Sequence, residues 1–167
     1  MDDHITEITS ASEIQSVEEA LEGVSSISGV RAHLSAALEL LSDRKNQDYR
    51  NSIKESISAV EGISRIMTGD PNATLGEALA ILESRGSLHG ALKKSFSALY
   101  GYTSDADGIR HAMLDEASLT FTDAKYMLIA CTAFINYILG KAADLDLSLD
   151  SVSRERVNKG LTQDGSS

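Results

Sequence analysis

A chain of 167 residues with one Pro, no Trp, one Cys and a net charge of −10 has the length of a single domain and a composition that favours helix. The lone Cys131 excludes an internal disulfide and a cysteine zinc site, and the charge balance excludes the broad basic stripe of a nonspecific nucleic-acid binder. Seven acids (Asp2, Asp3, Glu7, Glu13, Glu18, Glu19, Glu22) fall in the first 22 residues, where there is no Lys or Arg, so the remainder carries only −3 and leaves room for a local basic pocket.

The expected fold class is all-α: a single-domain helical bundle of six to seven helices. An acidic N-terminal arm with a short helix is expected over 1–24, the bundle over 25–145 and a polar tail over 146–167. The start, "MDDHITEITS", lacks the basic and then apolar regions of a secretory signal, so a cytoplasmic protein is expected. Ser12 and Gln15 have capping-box spacing and open a first helix with Val17, Ala20 and Leu21 inward. After the connector "GVSSISG", Val30, Leu34, Ala37, Leu38 and Leu41 form one apolar stripe of a second helix that ends near "SDRKNQ".

A third helix starts near Asp48 and runs to Met67, with Tyr49, Ile53, Ile57, Val60, Ile63 and Met67 on one face; Gly69 and Pro71 end it. Thr74 and Glu77 form a second box and launch a short helix with Leu75, Ala78, Leu79 and Leu82 inward. Leu88, Ala91, Leu92, Phe96 and Leu99 predict a fifth helix ending at Gly101, followed by a loop and a short helix over about 107–116. The last long helix spans about 122–142. It is apolar nearly all round over 126–139, a run short of the ~20 residues that span a bilayer, so a central or interfacial helix and a homodimer are expected, with no membrane partner. Ile53, Ile57, Val60, Phe96, Leu128 and Phe134 are the expected core.

Among chemistry-bearing groups, Asp107 is a candidate N-cap that places Arg110 and His111 in a helix first turn, where a guanidinium and an imidazole suit a phosphate group. An ion pair of Arg110 with nearby acids explains the same spacing. In "DYRNSIKES", Arg50, Asn51, Lys54 and Glu55 form a polar band, which is either a solvated face or the second half of that site. Arg85, His89, Lys93 and Lys94 make a third basic face, for which solvation is the ordinary reading. Asp107, His111 and Asp115 have the spacing of one helix face but lack the further His or Cys that a transition metal favours, and no cofactor is expected. Serine-hydrolase motifs are absent, and "GDPNATLGEA" lacks the lysine of a P-loop.

Three segments, "DRKNQDYRNSIKESISAVEGI", "TLGEALAILESRGSLHGALKKSFSALYGYTSDADGIRHAMLDE" and "FTDAKYMLIACTAFINYILGK", resemble the HEPN superfamily, in particular the AbiJ-type abortive-infection N-terminal domains, over about 28–142. The resemblance implies a dimerising helical bundle of a bacterial phage-defence or toxin-type system, many of whose relatives are metal-independent endoribonucleases acting on single-stranded RNA. It also implies roles for Arg110 and His111 as catalytic residues, with Arg50, Asn51, Glu55, Tyr102 and Asp107 binding. The superfamily's usual motif is an Arg and a His separated by four to six residues. Here Arg85 and His89 have three between them, Arg31 and His33 one, and Arg110 and His111 none. The alternative is a non-catalytic module that binds a nucleotide, RNA, or a protein partner such as an antitoxin.

Overall fold

The computed structural model describes residues 10–86, 88–104 and 119–144, which form six helices and no strand. They are α1 (Ala11–Gly23), α2 (Ser28–Ser42), α3 (Tyr49–Thr68), α4 (Leu75–Ser84), α5 (Gly90–Ser104) and α6 (Phe121–Asp144). The two longest are α3 and α6, the pair that sequence periodicity marks as longest. The expected helix at 107–116 and the expected tail over 146–167 lie outside the described residues.

At the centre lies α3, against which α2, α4 and α6 pack. Its small side chains Ser52, Ser56 and Ala59 are fully buried, and they let neighbouring helices approach closely. The buried hydroxyls are all satisfied: Ser52 Oγ donates to the Ala37 carbonyl of α2 at 2.8 Å, while Ser56, Ser64 and Thr132 donate to carbonyls of their own helices. The Asp48 N–H donates to the Leu40 carbonyl, so α2 and α3 form an antiparallel hairpin in fixed register. Ile53, Ile57, Val60, Leu128 and Phe134 are buried, as expected. Phe96 is not: it is only partly buried, because α5 rests on the bundle along one edge. Leu38 and Leu92 also belong to periodic stripes yet stay exposed, since no described helix faces them.

Helix ends follow local chemistry. Asp48 accepts from the Asn51 backbone N–H at the start of α3, and Gly69 closes its other end at φ +72°, a conformation that disfavours a Cβ. α1 starts two residues before the expected position. Ser10, with Glu13 three residues on, forms the capping box, and Gln15 donates instead to Glu19. A carboxylate accepts the cap N–H more strongly than an amide oxygen, which favours the Ser10 start. The Lys125 ammonium and then the Ser10 N–H hold the Glu13 carboxyl below its ordinary value. α1 is thereby part of the bundle rather than an arm beside it: Lys125 Nζ lies 2.9 Å from Glu13 Oε2, Asn136 Nδ2 donates to the Ser16 carbonyl at 2.9 Å, and Val17 and Ala20 are buried. α5 continues through Gly101 to Ser104, so Tyr102, Thr103 and Ser104 are helical rather than loop.

The Thr74–Glu77 box at the start of α4 is reciprocal, with Glu77 N–H donating to Thr74 Oγ1 and Thr74 N–H to Glu77 Oε2. Thr74→Ala is expected to cost about 1 kcal/mol in a thermal or urea melt. An unchanged melt would show that this cap contributes nothing.

Candidate functional site

The α2–α3 hairpin sets the geometry of the polar band. With Ser52 fixed against Ala37, the next turn of α3 brings Glu55 opposite His33, and His33 Nδ1 lies 2.6 Å from Glu55 Oε2. Both side chains are half-buried. With Nδ1–H donating to the carboxylate, Nε2 is left to exchange a proton with a ligand, and it makes no hydrogen bond among the described residues. The sequence places Glu55 in one polar band with Arg50, Asn51 and Lys54, and shows His33 only as part of an Arg–His pair with the wrong spacing. The signal for their meeting was the antiparallel register, which needs both helices at once.

Asn51 occupies the third position of α3. Its backbone N–H donates to Asp48 Oδ1 at 2.9 Å and its Nδ2 to Asp48 Oδ2 at 2.7 Å, so its side chain serves the helix start. Arg50 is exposed and lines an open crevice of about 490 Å³ with Asn46, Gln47, Asp48, Tyr49 and Leu119. Tyr49 donates through its hydroxyl to Gln47 Oε1 and meets Phe121 edge to face at 6.3 Å, which makes the inner wall aromatic. The crevice thus offers amides, a guanidinium and a ring edge, a set suited to a base and a phosphate.

Tyr102 lies in the last turn of α5. Asp107, Arg110 and His111 lie outside the described residues, as does Asp115. Leu119, eight positions after His111, lines the same crevice as Arg50.

The third basic face is engaged in helix packing. His89 Nδ1 accepts from the Ala91 N–H at 3.2 Å and its carbonyl accepts from Leu92 and Lys93, so His89 caps α5. Lys93 pairs with Glu83. Cys131 is buried beside a narrow apolar crevice of about 30 Å³ between α3, α5 and α6, and burial pushes its thiol up to about 12, so it is protonated and unreactive at neutral pH. Among the described residues no cluster of three His, Cys, Asp or Glu could hold a metal ion. α6 is the one described helix long and apolar enough to cross a membrane, and nine of its side chains are buried in the bundle. No family model matches this chain, and no curated protein or solved structure matches it either.

Proposed function

We propose that this chain is a HEPN-like helical protein of a bacterial phage-defence or toxin-type system, acting on single-stranded RNA as a metal-independent endonuclease. The observation that supports this reading is the His33–Glu55 couple, a carboxylate-oriented imidazole with its second nitrogen open, on the hairpin whose loop end carries the Arg50 crevice. In such chemistry a neutral imidazole takes the proton of a ribose 2′-hydroxyl. The 2′-oxygen then bonds to the adjacent phosphorus, and the P–O5′ bond breaks as the leaving oxygen gains a proton. Arg50 and Arg110 are the guanidiniums proposed to stabilise charge on the phosphoryl oxygens, and His111 the second proton-transfer group.

The second reading is a non-catalytic module that binds RNA, a nucleotide or a protein partner through the same crevice. It is favoured by Asn51, whose side chain is engaged by Asp48, and by the absence of an Arg and His at the superfamily's spacing.

A fluorescent single-stranded RNA incubated with the protein in EDTA separates the two. Cleavage to 2′,3′-cyclic phosphate ends is expected, falling about 10²–10⁴-fold in His33→Ala or His111→Ala with little change in melting temperature. Binding without cleavage, weakened by Arg50→Ala, selects the second reading, and neither binding nor cleavage overturns the first reading and the RNA-binding form of the second.

A further inference from the structure

The first turns of α5 carry an apolar row and a cationic row side by side, and no described helix covers them. Leu92 is 43% exposed, while Phe96, one turn on, meets Phe134 and Tyr137 of α6 at 4.7 and 5.8 Å. Lys93 and Ser97 form the next row and, with His89 and Lys94, line an open hollow of about 710 Å³. Its positive charge is not cancelled from within. Lys93 pairs with Glu83, but Lys94 has no ion-pair or hydrogen-bond partner among the described residues. His89 Nδ1 accepts from the Ala91 N–H, which leaves Nε2 to carry the proton as a further donor. Such a surface suits a segment that is acidic on one side and apolar on the other.

The sequence that follows α6 has that chemistry. Asp144, Asp146 and Asp150 alternate with Leu145, Leu147 and Leu149, and no Lys or Arg occurs between Lys141 and Arg154. Residues 145–150 lie outside the described residues, but their starting point is fixed, because Asp144 ends α6. Phe96 touches Phe134 and Tyr137, and Leu99 borders the crevice that Met127 and Ala130 line, so α5 runs against α6 and its first turns lie towards the C-terminal end of α6. Tyr137 to Asp144 is about 10 Å of helix and Phe96 back to Leu92 about 6 Å, an interval that six extended residues, up to about 20 Å, can cover. The other acidic segments start elsewhere. Residues 1–9 join α1 where Glu13 meets Lys125, about 24 Å along α6 from Lys141, and residues 105–116 leave from Ser104, the far end of α5.

We propose that residues 145–150 dock along the first turns of α5, with the leucines against Leu92 and Phe96 and the aspartates against Lys93, Lys94 and His89. The two repeats match in length: successive leucines of an extended segment recur every ~6.6 Å and rows of a helix every ~6 Å. Exposed ion pairs are weak, yet the tether makes the encounter intramolecular, at an effective concentration on the order of millimolar. Docking would strap α5 to α6, which it otherwise holds through Phe96 along one edge. The contact does not depend on whether the chain cleaves RNA.

Carbodiimide coupling of the full chain, which joins a lysine to a carboxylate in contact with it, tests this by peptide mass spectrometry. The Lys93–Glu83 pair supplies an internal control. A further link from Lys93 or Lys94 to Asp146 or Asp150 is expected, within a species of monomeric mass. Lys94→Glu should remove the Lys94 link, and Lys94→Glu combined with Asp146→Lys should restore one between the same two positions with the charges exchanged. Backbone amide exchange over residues 92–97 should quicken about two- to fivefold in the single variant, the range of an exposed ion pair, and return in the double variant. Links confined to Lys93–Glu83, links from Lys94 to Asp2, Asp3 or Glu7, or links found only between two molecules would each overturn the proposal.

Discussion

Phe134→Ala is expected to lower the free energy of unfolding by about 3–5 kcal/mol, read from urea denaturation at one fixed protein concentration. Phe134 is 4% exposed, and its ring meets Phe96 edge to face at 4.7 Å. The site has little capacity to collapse around a smaller residue. Ile57, Val60 and Leu75 reach it from α3 and α4, and the side chain already borders free space, so truncation enlarges a cavity rather than creating one from a close-packed wall. Loss of the ring pair adds to the cavity term and loosens α5, whose hold on α6 includes Phe96. A loss below about 1 kcal/mol would show that the Phe134 ring is not enclosed by α3 and α5.

Gly62→Leu is expected to destabilise by roughly 1–3 kcal/mol, even though leucine is the better helix former. A Cβ at position 62 would lie 2.9 Å from Val30 Cγ2, and Val30 is 2% exposed. Valine is stiff about χ1, so its methyl cannot swing aside, and α2 itself must move away from α3. That movement would also stretch the Ser52–Ala37 hydrogen bond and part His33 from Glu55. Gly23→Ala provides the contrast. Its Cβ would approach Leu139 Cδ1 at 2.6 Å, but that atom ends a flexible, half-buried side chain, so the cost should be smaller. Equal or greater stability of Gly62→Leu in the same melt would mean that α2 is not seated against position 62.

Much of the architecture is legible in the sequence where one face of one helix carries the information. The stripe from Ile53 to Ile63, the Asp48 start, Gly69 and the Thr74–Glu77 box are local signals, and the molecule uses each as written. Departures occur where a neighbour decides. Leu38 and Phe96 have the right period, but burial depends on what lies opposite, and α5 covers the bundle only along an edge. Ser10 and Ser12 offer competing starts, resolved by Glu13, whose carboxylate also meets Lys125 from a helix more than a hundred positions away. The site divides in the same manner. Arg50 and Glu55 could be singled out as a polar band, yet the partner of Glu55 is His33, and only a tertiary register joins them.

The bond from Asn136 to the Ser16 carbonyl joins residues 120 positions apart, whereas the α2–α3 hairpin closes through Asp48 and Leu40, eight apart. Short loops close with little loss of chain entropy and long ones with more. During synthesis α1 is made well before α6, the helix that supplies most of its docking surface, so much of its acidic, two-faced helix spends that interval in water while the hairpin beside it can already assemble. The order in which this bundle gains its parts is therefore not the order in which they are made: its first helix is among the last to find a place.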